Sequence, residues 1–299
     1  MDKLLAMRTF RRVVELGGFS AAARDLDLSN AGVSKHVKDL EGALGTALLV
    51  RTTRKVAPTE AGRDYYERCV RILDDVEEAE LTLTALNSAP RGRLRVNAPM
   101  SFGLLHIAPL VASFHRRCPE VRLDLSFNDR RVDLVHEGFD VGLRIRTRLE
   151  DSSLVGRRVC AIETAVVAAP TYLERHGVPA SPDDLADHVL LAYSLNEDPD
   201  LWRFRRGEET AGVEIAPKIL ANSGIALRVP VLAGVGLTLT PTFIVGDDLR
   251  AGRLKRVLTD WETPAYSLFA IYPPSRHLAP KVRAFVDFVA ESFRTPPWD

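Results

Sequence analysis

Apolar residues recur at helical spacing three times in the first 45 positions. Leu5, Phe10, Val13 and Val14 share a face of a helix predicted over residues 3–16, which stops at Gly17-Gly18, a fitting C-cap pair. Ser20 is placed to N-cap a second helix that turns Ala22, Ala23 and Leu26 inward, and its small side chains suit close helix packing. Ser29 caps a third helix, in which Val33, Val37, Leu40 and Leu44 are spaced four, three and four. Its other face holds Asn30, Ser34, Lys35, His36 and Lys38, and it tolerates Gly32 at a cost of about 1 kcal/mol relative to Ala. Two helices joined by a tight turn, the second with a polar outer face, fit a helix-turn-helix. "LLVRTTRKVAP" then reads as two short strands around Thr52-Thr53-Arg54, a basic wing.

A longer periodic segment follows. Thr59 is an N-cap, with Glu60 at the positive end of the helix. Tyr65, Cys69, Ile72, Val76, Ala79, Leu83 and Leu86 alternate at four and three, a heptad seam of about three repeats among charged residues. Two readings stay open: a helix lying on its own domain, and a dimerising linker. Pro90 and Gly92 break the pattern. Beyond them strands and helices alternate: strand "RLRVNAP", helix "FGLLHIAPLVASFHRRCP", strand "VRLDLSF", helix "RRVDLVHEG" and strand "DVGLRI". This order predicts a mainly parallel sheet. "VCAIETAVVAAP", "VLLAY", "WRFRR", "GVEIAP", "KILAN", "GLTLTP" and "YSLFAIYPP" read as further strands; "SGIALRVPVLAG" and "APKVRAFVDFVAESF" read as helices. The expected organisation is residues 1–60, a linker helix at 61–89 and an α/β body at 90–299. The body has one lobe at about 91–162 and 266–294 and a second at about 163–265.

Composition adds a local asymmetry. Lys plus Arg equals Asp plus Glu at 40 each, yet residues 1–60 hold ten basic and seven acidic side chains, a +3 head on a −3 body. That is compatible with a nucleic-acid partner. No apolar run approaches a membrane span, and charges interrupt the start of the chain where a signal segment would be apolar, so a cytoplasmic protein without a membrane partner is expected. Cys69, Cys118 and Cys160 are far apart and lack CxxC spacing; core thiols in a reducing compartment are the plain reading. The seven His residues form no HExxH pattern, and nothing marks a nucleophile with its base. Neither catalysis nor a metal is expected.

The stretch "FRRVVELGGFSAAARDLDLSNAGVSKHVKDLEGALGTALLVRTTRKVAPTEAG" resembles the N-terminus of LysR-type transcriptional regulators. The shared marks are Phe10, Phe19-Ser20, Ala22-Ala23, Leu26, Ser29, Val33-Ser34, Leu40-Glu41, Leu44-Gly45, Arg51 and Thr59-x-Ala61-Gly62. Weaker marks continue in order through "VNAPMSFGLLHIAPL", "FHRRCPEVRLDL", "FDVGLRI", "SSLVGRRV" and "LAGVGLTLTP", so the resemblance covers essentially the whole chain. It implies an N-terminal winged helix-turn-helix, a long linker helix and a two-lobed, periplasmic-binding-protein-like α/β effector domain. The implied partners are double-stranded operator DNA, a second copy of the chain (a homodimer, and a homotetramer as a dimer of dimers), a small-molecule effector and, as a further candidate, RNA polymerase. The chain departs from the family pattern at Asn30-Ala31-Gly32, where Gln and then Pro, Ser or Ala are usual, and at Leu49, where Phe is usual.

The expected DNA-facing residues are Ser20, Ser29, Asn30, Ala31, Gly32, Ser34, Lys35, His36 and Lys38, with Arg51 and Arg54 on the wing. Asn30 can read adenine through paired donor and acceptor groups, and Lys35 and His36 can reach bases or phosphates. The heptad residues Tyr65, Cys69, Ile72, Val76, Ala79, Leu83 and Leu86 are the expected dimer seam. In the body, Met100, Ser101 and Phe102 open a helix whose N–H groups suit an anion, and the resemblance turns them to the cleft with Arg144, Arg146, Asn222, Ser223 and Thr240. Arg146 favours an anionic effector such as a carboxylate, with no other cofactor expected. The competing expectations are Arg146 in solvent or paired with Glu150 or Asp151, Ser101 as a mere cap, redox sensing through Cys118 or Cys160, and a solute-binding protein without a regulatory role.

Overall fold

The computed structural model describes residues 1–299 except 52–55, 85–88, 131, 150–153, 197, 199, 275–277 and 299. The chain divides into two compact units, Met1–Ser88 and Ala89–Asp299.

In the first unit, α1 (Lys3–Leu16) starts on Asp2, which accepts from the Leu5 N–H at 3.1 Å, and stops on Gly17 with φ +66°. α2 (Phe19–Asp25) begins two residues earlier than expected: Gly18 is its N-cap, and Ser20 lies inside the helix and caps nothing. α3 (Asn30–Leu44) does start on Ser29, whose Oγ accepts from the Gly32 N–H at 3.0 Å. Val33, Val37 and Leu40 are buried, whereas Leu44 is 37% exposed, so the predicted stripe ends one turn early. The wing strands β1 (Leu49–Arg51) and β2 (Val56–Pro58) pair antiparallel; the residues expected at their turn, Thr52-Thr53-Arg54, lie outside the described residues. Glu41 accepts from both the Leu48 and Leu49 N–H groups at 2.8 and 3.1 Å, which anchors the wing to α3.

α4 (Glu60–Thr84) is capped by the Thr59 hydroxyl, which accepts from Gly62 N–H at 2.9 Å and donates to Ala47 C=O at 2.9 Å. Gly62 is compulsory there, because a Cβ would stand 1.9 Å from the Leu48 carbonyl oxygen. The start of α4 packs on its own unit. Cys69 is fully buried in a core with Ala6, Phe10, Val13, Val37 and Leu40, and the Tyr65 ring lies 5.9 Å from that of Phe10. The first two seam positions are thereby consumed inside one subunit, while Ile72 stays 44% exposed.

The second unit holds two five-stranded sheets. The first contains β3 (Gly92–Ala98), β4 (Val121–Phe127), β5 (Val141–Arg146), β6 (Val155–Ile162) and a late returning strand, Tyr266–Tyr272, in the order β4-β3-β5-returning strand-β6. β3 runs parallel to β4 and β5, but the returning strand is antiparallel to both its neighbours. The sheet is therefore mixed rather than mainly parallel, because the chain re-enters it from the other lobe. A continuous helical run follows β3: α5 (Met100–Phe102), a π-helical turn at Gly103–Ile107, a 3-10 turn at Ala108–Leu110 and α6 (Val111–Arg117). Pro109 has no N–H to donate, and the ladder loosens just before it. α7 (Leu134–Glu137) precedes β5.

The expected strand "VCAIETAVVAAP" is two strands. β6 ends at Ile162 and β7 (Thr164–Ala168) begins the second sheet, with Glu163 between them at the lobe crossing. α8 (Pro170–His176) leads to β8 (Leu190–Tyr193). β9 (Leu201–Arg206) and β10 (Glu209–Glu214) form a separate hairpin. Next come β11 (Ile219–Ala221), α9 (Gly224–Leu232), β12 (Leu237–Pro241), α10 (Thr242–Arg250) and β13 (Lys255–Val257), with β14 (Tyr266–Tyr272) and α11 (Pro280–Ser292) closing the first lobe. The second sheet runs β11-β8-β12-β7-β13. One buried cluster joins both lobes, including Leu94, Phe102, Leu227, Val245, Phe285 and Trp298.

Candidate nucleic-acid interface and effector cleft

In the first unit, Ser29, Asn30, Ala31, Lys35 and Lys38 are exposed along α3, and Gly32, Ser34 and His36 are half-buried. This is a donor-rich helix face seated on the Val33, Val37 and Leu40 core. Ser20 is exposed on α2, so its backbone is helical and its hydroxyl faces outward. Arg51 ends β1; its side chain and the whole of Arg54 lie outside the described residues. His36 is less free than its place on the polar face suggests: its Nδ1 lies 3.4 Å from the hydroxyl of Thr9 on α1.

An ion network that periodicity could not announce holds α1, α2 and α4 together beneath this face. Arg11 donates to Glu15 at 3.0 Å and to Asp74 at 2.8 Å, and Arg12 pairs with both Glu15 and Asp25. Burial would raise the Glu15 carboxyl, but the hydrogen bonds from Arg11 and Arg12 outweigh it and hold the group below its ordinary range.

In the second unit, Ser101 is 7% exposed and makes no hydrogen bond through its side chain among the described residues. It faces the N-terminus of α9: a Cβ on Gly224 would stand 3.6 Å from the Ser101 Oγ. Ser223 caps α9, its Oγ accepting from Ala226 N–H at 3.3 Å, and Asn222 beside it is exposed. The structure thus brings Ser101 of one lobe against Ser223-Gly224 of the other. Thr240 is buried on β12, paired with Ala165 of β7.

Two expectations at this end of the cleft are corrected. Phe102 does not face the cleft: it is fully buried among His106, Phe243, Phe293 and Trp298, with ring centroids 5.2–5.6 Å away. The Met100 N–H is not open to an anion, because the Asp129 carboxylate already accepts it at 3.0 Å. Burial raises the Asp129 carboxyl above its ordinary range, and the Tyr193 hydroxyl of the other lobe interacts with it. Asp129 and Tyr193 thus meet across the two lobes beside the expected cleft residues, and the sequence reading did not single them out. The available signal for Asp129 was the polar "NDRR" directly after β4, at the C-terminal edge of a parallel pair, where α/β sheets place their ligands.

Arg144 and Arg146 leave the same edge of β5. Arg144 Nη1 donates to Asn97 Oδ1 at 2.6 Å and to Leu143 C=O at 2.7 Å, while its Nη2 is buried without a partner. Burial, with repulsion from Arg146, lowers the Arg144 guanidinium to about 10. Arg146 is exposed and donates to Ile145 C=O at 3.2 Å. Glu150 and Asp151, its expected alternative partners, lie outside the described residues.

Cys69, Cys118 and Cys160 are buried, and none forms a disulfide among the described residues. Burial raises Cys69 to about 11 and also raises Cys118, the reverse of what a reactive thiolate needs. No helix among the described residues is long and apolar enough to cross a membrane.

A winged helix-turn-helix followed by a two-lobed α/β body defines a class of bacterial regulators, and the comparisons agree. Residues 4–63 match the bacterial regulatory helix-turn-helix protein family, lysR type, and residues 87–294 match the LysR substrate binding domain. The chain belongs to the LysR family: it is a DNA-binding transcriptional regulator with an effector-binding domain. It is 41% identical over 282 residues to an uncharacterized HTH-type transcriptional regulator of Haemophilus influenzae, covering 94% of this chain and 98% of that one. The solved structure of CrgA, a LysR-type transcriptional regulator from Neisseria meningitidis, has 34% identity and a TM-score of 0.63 over 96% of this chain and 97% of its own. The full-length Vibrio cholerae virulence activator AphB has 27% identity and a TM-score of 0.61, covering 96% and 98%.

Proposed function

We propose that this regulator works in the cytoplasm, lays the exposed face of α3 in the major groove of its operator, and answers to a small anionic effector, a carboxylate, bound in the cleft of its second unit. RNA polymerase is its further partner at the promoter, no cofactor beyond the effector takes part, and the chain does no catalysis. Copies pair through the outer face of α4. Ile72 and Val76 carry the described part of that face; the side chains of Ala79 and Leu83 and the whole of Leu86 lie outside the described residues. The pairs assemble further into tetramers.

The effector reading rests on Ser101. The residue is 7% exposed, and its hydroxyl has no hydrogen bond among the described residues yet is not among the buried unpaired atoms, so it is a donor open to a ligand. It stands between the start of a long helical run and the N-terminus of α9, with Arg146 on the neighbouring strand edge. With Met100 N–H occupied by Asp129, the anion's donors are Ser101, the first turn of α9 and Arg146. A thermal-shift screen of aliphatic and aromatic carboxylates against the full chain tests this, since a ligand selective for the native state raises stability. We expect a carboxylate whose stabilisation weakens in Ser101→Ala and in Arg146→Ala. A carboxylate that stabilises wild type and both variants equally would place the site elsewhere.

A further inference from the structure

His36 is the one ring on the polar face of α3, and the helix behind it constrains which nitrogen carries its hydrogen. Thr9 on α1 is fully buried, and its Oγ donates to Leu5 C=O at 2.7 Å. A hydroxyl has a single hydrogen, so this bond leaves only lone pairs on the oxygen. The His36 Nδ1 lies 3.4 Å from that oxygen. Two lone pairs cannot satisfy each other; the contact is favourable only when Nδ1 bears the hydrogen and donates it to Thr9. In a neutral imidazole the other nitrogen, Nε2, is then a bare acceptor. His36 makes no other hydrogen bond among the described residues, and its Nε2 is not among the buried unpaired atoms.

We propose that Thr9 is a positioning residue for operator recognition. By holding His36 in the Nδ1–H form it makes Nε2 an acceptor for an exocyclic amino group in the major groove, that of adenine or cytosine. The proposal rests on α3 as the groove-reading helix. It gives His36 a role opposite to that of Lys35 and Lys38 on the same helix, which only donate and so serve phosphates or guanine. A base-pair preference at His36 is therefore set partly by a residue on another helix that never touches DNA.

The test is selection of binding sites from a random duplex library at pH 8 with the full chain as wild type, Thr9→Val, Thr9→Ser and His36→Ala. Wild type should specify one base pair at one position per half-site, and should lose more affinity than His36→Ala does when that pair's exocyclic amino group is removed, by nebularine in place of adenine or zebularine in place of cytosine. His36→Ala should lose that preference about 5- to 100-fold, the range expected of one specific base contact. Thr9→Val should lose part of it, and Thr9→Ser should keep it. The log–log salt slope should stay at its wild-type value in all three variants, because no phosphate contact is removed. A second measurement does not depend on Thr9→Val folding: a long-range proton–nitrogen spectrum of the wild-type imidazoles at pH 8, with His36 assigned by its absence in His36→Ala, should show a protonated Nδ1. Unchanged preference in either Thr9→Val or His36→Ala overturns the proposal. So does wild-type affinity undiminished by removal of that amino group, or an unprotonated Nδ1. A wild type that selects no sequence at all would instead refute α3 as the reader of bases, and this proposal with it.

Discussion

Two glycines of the first unit differ in what a methyl group would meet. At Gly62 the obstacle is backbone: a Cβ would lie 1.9 Å from the Leu48 oxygen, which itself accepts from Thr59 N–H at 3.0 Å. Nothing there can rotate away, so Gly62→Ala should destabilise the first unit by about 2 kcal/mol, within the usual range for overpacking. A thermal melt that stays within a degree of wild type would contradict this. At Gly32 the obstacle is Ser29 Oγ at 3.2 Å, a side chain able to give by a few tenths of an ångström. The helix gains about 1 kcal/mol from Ala and risks a cap worth about 1 kcal/mol. Gly32→Ala should therefore change stability by less than about 0.5 kcal/mol, less than helix propensity alone suggests. If the glycine permits close approach to the groove, the same variant should weaken operator binding in a titration; unaltered affinity would mark it as merely tolerated. Residue by residue, local signals were the legible ones: Ser29, Thr59 and Gly17 act as their neighbours in sequence predict. Phe102 departs from its expected place, and Tyr65 and Cys69 take the own-domain reading left open for their helix, because their surroundings come from distant segments.

For whole elements, what could be read depended on whether a helix has a wet side. α1, α3, α4 and α11 each alternate buried and exposed faces, and their periodicity located them. α10 has no such stripe: Thr242, Phe243, Ile244, Val245, Gly246 and Asp248 are all buried, and the sequence offers no period to find. α8 and β13 are too short to show a period, so both went unpredicted. The charged contacts of α1 were equally invisible, since Arg11 meets Asp74 across 63 positions. They have a measurable consequence. Glu15 has its carboxyl lowered in the folded chain, so its contribution is complete above the unfolded carboxyl pKa of about 4.3 and is lost as pH falls through the folded value. The three tryptophans all lie in the second unit, at 202, 261 and 298, so tryptophan emission follows that unit alone and the change in far-UV dichroism that emission does not match follows the first. Urea unfolding followed by dichroism between pH 6 and 3 should show the first unit weakening with acid, with a shallower slope in Glu15→Gln. Equal slopes would remove Glu15 from the account. On the outer face of α3, Lys35→Ala should reduce the salt slope of operator binding by about 0.9 if it holds one phosphate; an unchanged slope would reassign it to a base or to solvent.

Across the whole molecule, the hydrophobic clusters divide at the same place as the backbone. The core of the first unit draws on residues from Ala6 to Leu73, and the clusters of the second draw on residues from Leu94 to Trp298, with no member in common. Among the described residues, a chain ending or beginning at residues 88 and 89 therefore removes no buried side chain from either core, and each unit keeps the described apolar burial that stabilises it. The tryptophan-reported transition of a fragment spanning residues 89–299 should stay within a few degrees of that in the full chain. The cleft residues Ser101, Arg146, Ser223 and Gly224 all lie in that fragment, so any carboxylate that stabilises the full chain should bind it with similar affinity. Operator binding should vanish, because α1, α3 and the wing are gone. A fragment that melts far below the full chain would show that the second unit depends on residues 1–88 for its stability. A fragment that still shifts operator DNA would move the nucleic-acid interface out of the first unit altogether.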